Sequence, residues 1–164
     1  MSIMPTLERD PLSGLVAPPL IGSTGTMPLS IISLIPDIMR HYRDVIVRAE
    51  REVFLVTNYW QPSNSVDTIT KAFRELSDSV LKRTKAGEKP QKIVVKMIYD
   101  RGSFEQLWNS HVAVKPKDLV ALKIPLPEDV PGLDLQVINF HRVLLGTFHA
   151  KFLIVDRKVA LINR

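Results

Sequence analysis

Three ionisable side chains stand close together in "FHAKFLIVDRKVALI", residues Phe148 to Ile162: His149, Lys151 two positions on, and Asp156 five further. The residues around them are apolar and rich in β-formers. The segment therefore reads as a strand over Phe148–Val155 and a second over Val159–Ile162, joined at Asp156-Arg157-Lys158. Residues two apart in a strand share a face, so His149 and Lys151 point the same way, about 7 Å apart. A histidine titrates near neutrality and can act as nucleophile or proton donor. A neighbouring lysine holds an oxyanion. An aspartate bonded to one ring nitrogen fixes the tautomer and stabilises the imidazolium. Together these suit attack on a phosphate without a metal. The residues alone leave a second reading open: a strand edge carrying charges, with Asp156 as a plain turn residue.

Helices and strands elsewhere have to position this segment. From Ser33 onward Leu34, Ile35, Ile38, Met39, Tyr42, Val45, Ile46 and Ala49 recur at helical steps, with Ser33 as the expected cap and Pro36 in the first turn. Arg40, Arg43, Arg48 and Arg51 line the other side and read as a solvated face. Val53–Thr57 is a β-rich run without polar alternation, as in a strand covered on both faces. Ser63–Lys85 returns to helical period, with Lys82, Arg83 and Lys85 at its negative end and Gly87 at its stop. Lys92–Asp100 is a second buried strand, Phe104–Ser110 a short helix, residues 111–133 a proline-spaced excursion, and Leu135–Phe140 a third strand. The order predicts an α/β fold, a mixed β-sheet flanked by helices.

The 164 residues suit one folded domain over 29–164, preceded by an irregular Pro/Gly-rich arm over 1–28. "GSTGT" (Gly22–Thr26) lacks the Gly-Lys-Ser/Thr of a phosphate loop and reads as a turn. A hydrophobic content of 45% with 24% charged residues is a globular balance; the net charge of +5 is compatible with an anionic partner, but it is scattered, without a run of like charges, and reads first as a basic soluble surface. With no cysteine, disulfides and thiolate chemistry are excluded. The N-terminus lacks a secretory signal pattern, and Pro18, Pro19, Pro28 and Pro36 interrupt the most apolar window, so neither a signal peptide nor a transmembrane helix is expected. A cytoplasmic or peripheral membrane location follows as the expectation.

"HAKFLIVDRKVALI" resembles the HKD motif of the phospholipase D superfamily: His-x-Lys, four residues, Asp, then a strand and a turn of small residues with an asparagine. "EREVFLVTNYW", "KIVVKMIYDRG" and "LQVINFHRVLLGTFHAKF" resemble strands of phospholipase D-like proteins, most closely the fungal branch. The likeness runs from about Gly22 to the C-terminus. It implies hydrolysis or transfer of a phosphodiester, typically on a phospholipid, through a covalent phosphohistidine and with neither metal nor cofactor. Carried over, His149 is nucleophile or general acid, Lys151 a phosphate ligand and Asp156 the orienting carboxylate.

The chain departs from that pattern in two places. Asn163-Arg164 stands where the small pair belongs, and there is one HKD motif, because His41, His111 and His141 are followed by no lysine two positions on. The second motif is expected from a missing half or from another copy, and the chain reads as an N-terminal half truncated at its C-terminus. Two alternatives accompany this reading. One is a catalytically silent half that keeps the fold and binds phosphate or anionic lipid. The other is a homodimeric single-motif nuclease, with nucleic acid the less favoured partner. Ligands gather at the carboxyl ends of strands in such sheets, which marks Arg101 and His141 as further phosphate or substrate contacts, His141 on a strand expected beside the motif. Trp60 reads as packing, and Lys115, Lys117 and Lys123 as a solvated loop rather than a membrane-facing patch.

Overall fold

The apolar runs become the middle of one six-stranded mixed sheet. Its strands are β1 (Glu52–Thr57), β2 (Ile93–Tyr99), β3 (His111–Ala113), β4 (Leu133–Phe140), β5 (Phe152–Val155) and β6 (Val159–Ile162), in the spatial order β3-β4-β2-β1-β5-β6. The neighbours β1–β2 and β2–β4 are parallel, while β1–β5, β5–β6 and β3–β4 are antiparallel. The computed structural model describes residues 32, 34–142, 147 and 149–163, all within one compact unit, Ile32–Arg164. The expected arm over 1–28, the turn at Gly22–Thr26 and the cap at Ser33 lie outside the described residues.

Helix α1 (Ile35–Ile46) starts from Leu34, whose side chain makes no capping bond, with Pro36 tolerated in the first turn. Helix α2 (Asn64–Lys85) is capped by Ser63, whose hydroxyl accepts the Val66 N–H at 3.4 Å. It closes where Gly87 adopts φ +89°. The apolar stripes of both helices meet one face of the sheet. Tyr42 and Ile46 of α1, and Val66, Ile69, Phe73, Leu76 and Val80 of α2, form one core with Val53, Leu55, Val95, Met97, Leu153 and Val155. Arg43, still partly exposed, also bonds Glu75 of α2 at 2.6 Å through its guanidinium and so ties the two helices together.

The sheet alternates more than the sequence implies. Along β2, Ile93, Val95, Met97 and Tyr99 are buried, whereas Lys96 is exposed and lies over the Phe54 ring at 5.9 Å. Among the described residues the second face of β1 and β2 is thus only half covered, not enclosed as the continuous apolar runs imply. The excursion over 111–133 also holds structure that the prolines conceal. It contains β3, the one-and-a-half-turn helix α3 (Pro116–Ala121) and a 3₁₀ turn at Pro127–Asp129, and it sends Leu119, Leu122, Ile124 and Val130 into the core. Trp60 packs there, donating its indole N–H to the Leu122 carbonyl at 3.0 Å.

The entry into β4 is a point of close approach. Gly132 N–H donates to the buried Ser77 hydroxyl at 3.0 Å, and a Cβ at Gly132 would lie 2.7 Å from the Ser77 carbonyl oxygen. Gly132→Ala must therefore push the strand away from α2. We expect a loss of about 1–3 kcal/mol in denaturant unfolding, and an unchanged midpoint would contradict this packing.

Candidate functional site

The carboxyl ends of the parallel strands β1, β2 and β4 lie on one edge of the sheet, and the chain delivers polar residues to it. Thr57 closes β1, Asp100-Arg101 follow β2 and His141-Arg142 follow β4. The motif strand comes back from this edge. β5 begins at Phe152 rather than at Phe148, so His149 and Lys151 precede the strand. Register is nevertheless kept: Val56 faces Phe152, and Asn163 N–H donates to the Lys151 carbonyl at 3.1 Å, adding one rung to the hairpin.

Lys151 lines a cleft of about 310 Å³ between the edge of β1, α1 and the start of α2. Thr57, Trp60, Ser63, Ser65 and Asn163 share its wall, and among the described lining residues Lys151 is the only charged one. The first turn of α2 opens onto the same space through Ser63, Ser65 and Val66. A lysine and the positive end of a 22-residue helix, with no carboxylate opposing them, make an electropositive cleft suited to an anion. Asp67 belongs to that turn but is taken up by Lys123 at 2.9 Å. His149 is exposed, two residues upstream of Lys151.

Asn163, which the sequence marks only as a departure from the motif's small pair, stands in the cleft wall. Its Oδ1 accepts the Tyr42 hydroxyl at 2.7 Å, which fixes the amide against α1. Burial pushes the Tyr42 pKa up, although the bond to Asn163 acts the other way, so the phenol stays a donor at neutral pH. The signal was present in the hairpin: Lys151 and Asn163 lie six residues on either side of Arg157 and must be cross-strand neighbours.

Asp156 does not orient His149. It sits at the far end of β5, about 16 Å of strand away from Lys151, with φ +53°. Its two oxygens accept the backbone N–H groups of Glu50, Arg51 and Glu52 at 2.9, 2.8 and 2.9 Å. Partial burial works to raise its pKa, but those three N–H groups and the Lys158 charge outweigh that and hold it below the ordinary aspartate value. The carboxylate clamps β5 to the start of β1.

His141 carries the carboxylate pairing expected of His149. Its Nδ1 lies 2.6 Å from Oδ1 of Asp100, whose side chain is 3% exposed. The ring packs over Gly102, where a Cβ would come within 3.2 Å of Nε2. β4 is not beside the motif strand, because β2 and β1 intervene. Arg101 is exposed, and its backbone is pinned at both ends by the Asn139 amide, at 3.0 and 2.9 Å. The Asn58 Oδ1, after β1, is buried with no hydrogen-bond partner. Lys115 and Lys117 are exposed. Among the described residues no three His, Asp or Glu side chains converge on a metal position, and no helix is long and apolar enough to cross a membrane.

No protein-family model matches the chain, and no curated protein matches it.

Asp156→Ala should cost about 2 kcal/mol at pH 7, since bonds to a charged acceptor are lost. The folded pKa lies below the unfolded one, so this stability is present above about pH 4 and is lost as pH falls through the folded value. Unfolding of wild type and variant should therefore converge in acid. Equal stability at pH 7 would refute the clamp.

Proposed function

We propose that the cleft binds a phosphodiester, in the first instance that of a phospholipid, and that His149 is its nucleophile. The observation that carries this is the cleft wall, in which Lys151 is the only charge among the described residues and the start of α2 adds a positive dipole. A phosphodiester monoanion matches it. Lys151 neutralises a non-bridging oxygen, and the side chains of Thr57 and Asn163 are within the same wall to bond the others. A ring nitrogen of His149 forms a bond to phosphorus as the bond to the leaving oxygen breaks, and that oxygen takes a proton. Water then attacks the phosphohistidine, returning free imidazole and a phosphomonoester; an alcohol in its place gives transfer. The resemblance to the phospholipase D superfamily supports the same steps. In that scheme the proton donor is a second HKD histidine, supplied by another copy or another part of the protein.

A second reading has its own support. The carboxylates placed to orient an imidazole are both engaged elsewhere, Asp156 by backbone N–H groups and Asp100 by His141. A cleft that holds phosphate or an anionic headgroup without cleaving it fits that arrangement.

Incubation with bis(nitrophenyl) phosphate in EDTA separates the two. The catalytic reading predicts nitrophenolate release, a phosphoryl adduct on His149 by mass spectrometry, and a loss of at least about a hundredfold in His149→Ala. Release that survives His149→Ala sinks the nucleophile assignment. Absence of release, with phosphate still bound, selects the silent reading.

A further inference from the structure

One edge of the sheet carries exposed aromatic residues that nothing in the phosphodiester chemistry uses. Trp108 is 91% exposed and its neighbour Leu107 is 51% exposed. They lie at the end of the 3₁₀ turn Phe104–Leu107 that follows β2, held by a capping box in which Ser103 and Gln106 bond each other. Three residues on, His111 pairs with Phe140, the last residue of β4, so Trp108 stands at the carboxyl edge of the sheet. Tyr59, 57% exposed, follows β1 on the same edge and borders the Lys151 cleft. A tryptophan this bare, next to a leucine and on a braced turn, forms a fixed apolar projection in water.

The charges around the projection are mostly cationic. Arg101 and Arg142 are exposed on the same edge, and Glu105 is the one exposed acid among the residues that immediately follow β2 and β4. At the opposite edge Arg157 is paired with Glu52 at 2.6 Å. Tryptophan and tyrosine settle at the headgroup level of a bilayer, where one end of the ring meets hydrocarbon and the other meets water. Arginine at the same level is drawn to anionic lipid.

We propose that this edge docks on an anionic lipid bilayer, with Leu107 and Trp108 entering the headgroup–acyl boundary and Arg101 and Arg142 facing anionic headgroups. The proposal deepens the phospholipid reading by naming how the cleft meets its substrate, yet it stands on exposure and charge and needs no catalysis. The bilayer is favoured over a protein groove because the apolar element is a narrow projection with two exposed arginines on the same edge, not a broad complementary face.

The chain is well suited to a direct test, because it has two tryptophans and Trp60 is 4% exposed with its N–H bonded. Trp60 borders the Lys151 cleft, so the part of a vesicle-induced emission change that Trp108→Ser removes is the part that reports on Trp108. Vesicles of phosphatidylcholine, with and without phosphatidylglycerol, should give a blue shift that is larger with the anionic lipid and is reversed by salt. Brominated phosphatidylcholine should quench it. In vesicle sedimentation Trp108→Ser and Arg101→Glu should each weaken binding roughly tenfold, with folding checked by circular dichroism. His149→Ala should bind as wild type, which keeps a failure of the catalytic reading distinct from a failure of docking. No association with anionic vesicles at low salt overturns the proposal. So does binding unchanged in Trp108→Ser, or lipid-free self-association that Trp108→Ser abolishes, which would assign the patch to a second copy.

Discussion

The position of Lys151 in the cleft is tied to three hydrogen bonds at the opposite end of the sheet. The Asp156 carboxylate gathers the N–H groups of residues 50–52 just where β1 begins, and so fixes how β5 lies against β1. From that anchor Val155 falls opposite Val53 and Phe152 opposite Val56, which brings Lys151 level with Thr57. Because side chains alternate across a strand, a slip of one residue would turn Lys151 to the other face of the sheet. The aspartate thus acts on the site through register rather than through contact. It explains why a carboxylate sits in a turn at positive φ, where its cost is offset by three charge-assisted bonds.

The cleft itself is a matter of what is left out. A lysine near a helix start is commonplace, but here no acid is among the described residues of the wall, and Asp67 is bonded to Lys123. Tyr42 spends its hydroxyl on Asn163 and thereby steadies a neutral amide beside the ammonium group. The resulting space offers one full charge, a helix dipole and neutral hydrogen-bonding groups, a set that favours a singly charged anion over a cation. Two strands away, Asp100 and the half-buried His141 form a separate pair braced by Gly102 and Asn139. That pair keeps the loop after β2 in place, and with it Arg101.

Much of the fold was legible because its central strands and two long helices carry strong local patterns. Val53–Thr57 and Ile93–Tyr99 are β-branched runs, and α2 has a Ser63 cap, basic residues at its end and Gly87 after it. The segment 111–133 was opaque since Pro116, Pro125 and Pro127 erase periodicity, although Pro116 is itself a helix start. The site was legible in its composition and not in its wiring. His149 and Lys151 were found by spacing, whereas the partners of Asp156 lie more than a hundred residues away in sequence. Nothing local announces such a contact. The pairing of His141 with Asp100 was hidden for the same reason, and the order of the strands moved β4 away from the motif strand. Asn163 could have been read from hairpin symmetry alone.

The account rests most heavily on the cleft being an anion site built around Lys151. A ¹⁵N NMR titration of the purified chain with inorganic phosphate tests that without any assumption about turnover. The account predicts saturable shifts at the amides of Ser65, Val66 and Lys151, and their loss in Lys151→Met while the remaining spectrum stays folded. Shifts confined to other parts of the chain, or phosphate bound as tightly by Lys151→Met, would contradict it.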